Sequence, residues 1–395
     1  MTALHYDVFF IYRFILIRSA LFFSEIIGQS ALKNRLIRSV KDRRISHAQL
    51  FFGPEGAGAL PLAIAYAQYI SCTGEKEEDA CGKCPSCIKY AKLVHPDLHF
   101  LFPVNNTSSK KEDPSCDDFL AEWRDFVLRN PYGRLNDWYL HIELENKQGL
   151  IKEKESDVIS KKLSFKSYES DFKIAILWMA EKMHEVASNK LLKLLEEPPE
   201  MTVFLLITEN PESLLTTIRS RCLPVKVPLI TEEDMKDALQ SRHHMNATQS
   251  ESIVHLAIGN YARAVELIRE NEEDGFQLTT FREFMLAGYM NNIASGMKTL
   301  EALSSLTREK QKAFLDYSLK LIRENAVIHL QEGRLSYMNR KEEEFSVNFS
   351  RFIKGSNITP LADEFNKAAN DIERNGNSKI VLLDLMLKTG KLLRQ

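Results

Sequence analysis

The sequence predicts a mostly parallel α/β sheet with helices on both faces, followed by an all-helical remainder. Three short apolar runs, His47 to Phe52, Lys173 to Trp178 and Val203 to Thr208, are separated by stretches of helical spacing. Strands that alternate with helices and read as continuous apolar runs belong to a parallel sheet buried on both faces. From Glu232 onward nearly every signal is helical, which supplies the second part of the expectation.

Taken in order, Gln29 to Arg44 reads as a helix, with Leu32, Leu36, Ile37 and Val40 on one side. His47 to Phe52 is a buried strand that runs into glycines, and Pro61 to Ile70 is the next helix. Residues 103–118 are polar and rich in Pro and Ser, hence a loop. Phe119 to Arg129 and Lys152 to Lys162 are candidate helices. Lys173 to Trp178 is the second strand, and Met183 to Glu197 is a helix stopped by Pro198 and Pro199. Val203 to Thr208 is the third strand, and Ser213 to Arg221 is helix-like. Ser252 to Ala257 and Tyr261 to Ile268 flank a turn at Gly259-Asn260. The helical remainder breaks near Gly333 and near Gly355 to Pro360. No internal repeat of solenoid period is present.

A chain of 395 residues with 44% hydrophobic and 27% charged content is globular and has room for more than one core. Its formal net charge of -2 argues against strong DNA binding by the chain alone. Val8 to Phe23 is apolar, but Arg13 and Arg18 interrupt it, which fits neither a spanning helix nor a secretory signal. No membrane association is expected, and a cytoplasmic location is. The cationic segment Lys33, Arg35, Arg38, Lys41, Arg43 and Arg44 reads as a solvated helix face rather than a phosphate-binding one.

The most informative segment is Gly53-Pro54-Glu55-Gly56-Ala57-Gly58-Ala59-Leu60. It has the outline of a P-loop, G-x-x-x-x-G-K-[ST], between a strand and a helix. Ala59 stands where a lysine would reach the β- and γ-phosphates, and Leu60 where a hydroxyl would hold magnesium. Taken alone, the segment could be an ordinary glycine-rich turn. The second strand argues otherwise. Where an ATPase strand ends in acidic residues that hold the metal and orient water, this one ends in Trp178-Met179. Two halves of an ATP site are missing together, so no ATP of its own is expected.

Of the six cysteines, Cys72, Cys81, Cys84 and Cys87 lie within sixteen residues as C-x8-C-x2-C-x2-C. Four thiolates from paired C-x-x-C turns suit tetrahedral zinc with no open position, hence a structural Zn(2+). A disulfide scaffold or a redox pair suits this spacing less. Cys116 and Cys222 fall outside the cluster.

Three further segments carry a family resemblance. Asn189-Lys190-Leu191-Leu192-Lys193-Leu194-Leu195-Glu196-Glu197-Pro198-Pro199 resembles the NxLLKxLEEPP signature of bacterial clamp-loader subunits. Thr217-Ile218-Arg219-Ser220-Arg221-Cys222 resembles their Ser-Arg-Cys motif. Ile27-Gly28-Gln29 with His47-Ala48 is similar to their start. With the broken loop, the set resembles the delta-prime type of DNA polymerase III subunit. Phe352, Asn357 and Arg374-Asn375-Gly376-Asn377 are similar as well, so the resemblance covers roughly residues 22–395.

The resemblance implies an AAA+ module (22–228) with a zinc-binding insertion around 72–87, a helical lid (229–272) and a helical collar (273–395). Residues 1–21 would be a dispensable or non-native extension. It implies a heteropentameric ring with gamma/tau-type motor subunits and a delta subunit, which places a sliding clamp on primed DNA. The delta-prime type would be an ATPase-inactive stator, not an enzyme on its own. Arg221, framed by Ser220 and Cys222, would be an arginine finger that serves a neighbouring motor subunit's ATP. In the lid, the family's nucleotide-sensing arginine would fall on Ala262, with Arg263 adjacent, which is a third departure from an active site. The alternatives are an active motor ATPase and a zinc-containing nucleic-acid-binding module. ATP binding would identify the first, and tight, salt-dependent DNA binding by the isolated chain the second.

Overall fold

The computed structural model describes residues 22–110, 113–144, 148–330, 338, 340–374 and 376–394. The extension 1–21, the break near Gly333 and Asn375 lie outside the described residues. The chain divides into two compact units, Met1–Leu267 and Ile268–Gln395.

The first unit is built on a five-stranded parallel sheet of order β2-β3-β4-β1-β5. Its strands are β1 (Ala48–Phe52), β2 (Leu98–Leu101), β3 (Lys173–Trp178), β4 (Thr202–Thr208) and β5 (Leu223–Lys226). Leu50 lies opposite Leu206 on β4 and Pro224 on β5, while Ile176 lies opposite Leu205. Side chains alternate between two cores, as the two-residue strand period requires. Phe51, Ile174, Ile176, Val203, Leu205 and Ile207 enter one core. Leu50, Ala175, Leu177, Phe204 and Leu206 enter the other. Burial on both sides explains why β3 and β4 read as unbroken apolar runs.

Helices cover both faces. On the first are α1 (Ser30–Lys41), α2 (Ala59–Ser71), the short α3 (Pro85–Tyr90), α4 (Leu120–Arg129) and α5 (Leu135–His141). On the second are α6 (Glu153–Ser164), α7 (Glu185–Glu196) and α8 (Thr216–Arg219). The unit continues through α9 (Glu232–His243) and α10 (Ala247–Ala257) to the start of α11 (Tyr261–Tyr289). All three tryptophans, Trp123, Trp138 and Trp178, join one aromatic cluster with Phe102 and Phe126.

The second unit holds the end of α11 with α12 (Ile293–Ser304), α13 (Arg308–Leu330), α14 (Arg340–Phe349), α15 (Ile358–Glu373) and α16 (Ser378–Leu393). Leu361, Phe365, Ala368 and Ile372 form the buried stripe of α15, spaced at three and four residues. Asn357 is buried and ties the chain by donating from Nδ2 to the carbonyls of Phe352 (2.9 Å) and Leu392 (3.2 Å). Asn377 caps α16 through its side chain.

Two boundaries differ from the sequence reading, and some elements were not anticipated. Only Thr216–Arg219 of the stretch Ser213 to Arg221 is α-helical, after a 3-10 turn at Pro211–Ser213. Helix α15 starts before Pro360, because a proline in a helix's first turn has no intrahelical N–H bond to lose. Strands β2 and β5 and helix α5 were not anticipated. The two strands are four residues long, and both are edges of the sheet.

Candidate functional site

In a parallel sheet all the strands' carboxyl ends lie on one side, where α/β folds place their ligands. Here that side carries a shallow hollow lined by Gly53, Gly56, Gly58, Ala59 and Leu60, with Trp178 and Met179 after β3 and Thr208 and Glu209 after β4. The sequence-predicted loop and its missing acidic partner therefore do meet. Gly56 and Gly58 have φ of 70° and 91°, the left-handed region that glycine tolerates. Gly58 is also the N-cap of α2.

What sequence reasoning missed is how the loop is filled. A Cβ on Gly58 would lie 2.7 Å from the Tyr132 ring, and one on Gly56 would lie 1.9 Å from Asn260 Oδ1. Tyr132 is 4% exposed, and its hydroxyl accepts a hydrogen bond from Ile27 N–H at 2.9 Å. Asn260 Nδ2 donates to Glu55 Oε1 (3.2 Å), and Tyr261 N–H donates to the Gly56 carbonyl (3.2 Å). The rings of Tyr132 and Tyr261 meet at 4.9 Å. Leu60 is 4% exposed and belongs to the core. Trp178 packs on Trp123 at 5.1 Å. At the rim, Glu209 N–H donates to the Glu181 carboxylate at 3.1 Å. Ala262 is buried, and Arg263 pairs with Glu266 (2.7 Å), which also holds Arg134 (3.1 Å).

The Ser-Arg-Cys residues follow α8. Cys222 is buried in the second-face core, and burial pushes its thiol up to about 11, so it anchors and does not react. Ser220 Oγ donates to the Thr217 carbonyl at 3.1 Å. Arg221 stands between them, exposed. Its Nη1 donates to the Thr217 carbonyl (2.9 Å), and its Nη2 pairs with Glu196 Oε1 at 2.7 Å. Leu215 and Leu223, exposed apolar residues, flank this segment. Arg221 is not among the residues that line the hollow.

The four cysteines lie past the other end of α2. Cys72 follows its last turn, Cys84 is the N-cap of α3, and Cys87 sits in the first turn of α3. One sulfur from each lies within 4.8 Å of all the others, and all four are free thiols. Cys81 and Cys87 sulfurs are 4.0 Å apart, far beyond a disulfide bond. Backbone N–H groups of Cys81, Cys84 and Cys87 point at the sulfurs of Cys72, Cys81 and Cys84 at 3.3–3.4 Å. Burial pushes the Cys84 thiol up, but the Cys87 N–H and Thr73 outweigh it and bring the group down to about 5. Such a set fits a tetrahedral thiophilic ion. Lys76, also unforeseen, donates to the carbonyls of Tyr69 (2.8 Å) and Cys72 (3.2 Å) and places an ammonium beside the thiolates.

Comparisons with known proteins identify the family. Residues 28–231 match the family described as DNA polymerase III, delta subunit. The DNA polymerase III subunit delta' of Bacillus subtilis is 28% identical over 244 residues, 62% of this chain and 60% of that protein. The subunit delta' of Pseudomonas aeruginosa is 31% identical over 47% of this chain and 44% of that protein. The matches thus span about half the length of these curated relatives. Among solved structures, a gamma subunit-related protein of Thermotoga maritima aligns over 92% of this chain and 100% of its own, with 15% identity and a TM-score of 0.38.

Proposed function

Because the chain belongs to the delta-prime family of DNA polymerase III clamp-loader subunits, we propose that it is an ATPase-inactive stator of the bacterial clamp loader. In this reading it comprises an AAA+ module (22–228), a helical lid (229–272) and a helical collar (273–395), and its partners are gamma/tau-type motor subunits and a delta subunit. The assembled ring loads a sliding clamp onto primed DNA in the cytoplasm. Among the described residues no helix is long and apolar enough to cross a membrane.

The observation that carries the reading is a P-loop outline that lacks its cation and its hydroxyl and is packed closely by side chains of its own chain. A phosphate cradle needs empty space in front of its N–H groups and a cation to complete it. Here the Tyr132 ring and the Asn260 amide press against Gly58 and Gly56, and Ala59 and Leu60 supply neither cation nor metal ligand. Zinc at Cys72, Cys81, Cys84 and Cys87 is structural, since four protein thiolates leave no open position.

Arg221 then acts across an interface as an arginine finger, because its own chain offers no ATP to serve. A guanidinium supplied in trans stabilises the charge that spreads over the transferring phosphoryl group. Exposed Leu215 and Leu223 beside it suit a face that a neighbour covers. The test is a reconstituted loader carrying Arg221→Ala. This subunit should still fold and assemble, while primed-DNA-stimulated ATP hydrolysis and clamp loading slow. The loss should stay below the roughly 10³–10⁵-fold of an isolated GTPase finger, because only one site of several depends on it. Arg221→Lys should rescue poorly for want of the planar fork. Unchanged rates with normal assembly would refute the role.

A further inference from the structure

Glu196 is the first acid of the NxLLKxLEEPP segment, and Arg221 centres the Ser-Arg-Cys segment. The fold brings their side chains to 2.7 Å. Both attachment points are rigid. Leu191 and Leu195 of α7 are buried in the same core as Ile218 of α8 and Cys222. Glu196 is the last residue of α7. A carboxylate there opposes the helix dipole, which favours cations at a carboxyl end. Its place is therefore not explained by α7 itself. The ion pair is half-exposed, with 36% and 49% side-chain exposure, and such pairs contribute little to stability.

We propose that Glu196 is a positioning residue for Arg221. Resting on the finger reading above, this assigns to the acidic end of the first motif the task of orienting the arginine of the second. Guanidinium carries five N–H donors in a fixed plane. One goes to the Thr217 carbonyl, and Nη2 lies 2.7 Å from the Glu196 carboxylate as an ion pair. Two contacts to a planar group set both its tilt and its rotation. The donors not so engaged are left for a phosphoryl oxygen of the neighbour's nucleotide. Without Glu196 the guanidinium keeps one tether and swings about it.

The experiment is a double-mutant cycle in the reconstituted loader, with primed-DNA-stimulated ATP hydrolysis read as kcat and KM. Tryptophan fluorescence and assembly verify each variant. Glu196→Ala should lower kcat about tenfold, the scale on which misplacement of a catalytic group acts, with KM for ATP unchanged. Glu196→Gln should fall between, since its amide oxygen still accepts the bond but carries no charge. In the Arg221→Ala background, Glu196→Ala should add nothing. If Arg221→Ala leaves kcat intact, the finger reading fails. If Arg221→Ala slows hydrolysis while Glu196→Ala does not, or the two losses multiply, the finger stands and the positioning role fails.

Discussion

Leu60 is both a motif position and a core residue. It occupies the place of a magnesium-binding hydroxyl, yet it is 4% exposed and packs within the first-face core. Leu60→Thr should therefore destabilise the first unit by about 2–4 kcal/mol, the range for truncating a buried leucine, with the buried hydroxyl adding to the cost. Urea unfolding followed by tryptophan fluorescence would measure it, and a loss below about 0.5 kcal/mol, the scale of a surface substitution, would contradict the packing argument. The same logic applies at Trp178, which packs in the aromatic cluster at the place where an ATPase strand carries an acidic residue.

At the scale of elements, β2 carries a pH dependence. Burial, joined by the nearby Lys162 charge, pushes His99 on this strand down to about 4, and burial lowers His95 just before it. An unfolded histidine titrates near 6.5. The folded state thus binds fewer protons between these values, and stability is fully present above about pH 6.5. It falls as pH drops toward 4, by up to about 3 kcal/mol for His99. Urea midpoints taken from pH 7 to pH 4 should decline over that window, and His99→Gln should flatten the slope. Legibility followed the same scale. Strand β3 matched its sequence reading end to end, because six successive buried residues leave a strong signal. Strand β5 was hidden by Pro224, which an edge strand tolerates because one side of its ladder is unpaired. The loop, the four cysteines and Arg221 were legible because each is a local pattern. Tyr132, Asn260 and Glu196 were not, since each meets a residue that only folding brings near.

Across the whole molecule, each unit has its own core, but every tryptophan lies in the first. Cys72 and Cys87 belong to that first core, so metal binding there is linked to its folding. About one zinc per chain is expected by metal analysis, and Cys84→Ala should lose it. Chelation should then lower the fluorescence-detected melting point of the first unit more than it shifts the helical circular-dichroism transition. Metal-free protein with all four sulfurs oxidised in pairs would refute the site. The filled loop has a consequence for the history of such a chain. Ala59→Lys and Leu60→Thr together would rewrite the motif, yet the Tyr132 ring and the Asn260 side chain would still pack closely against Gly58 and Gly56, and Trp178 would still sit in its aromatic cluster. Each of those residues is held by contacts of its own, through Ile27, Glu55 and Trp123. On the stator reading proposed above, no single reversion would restore the motif's chemistry until the others had occurred, which would make the change hard to undo one substitution at a time.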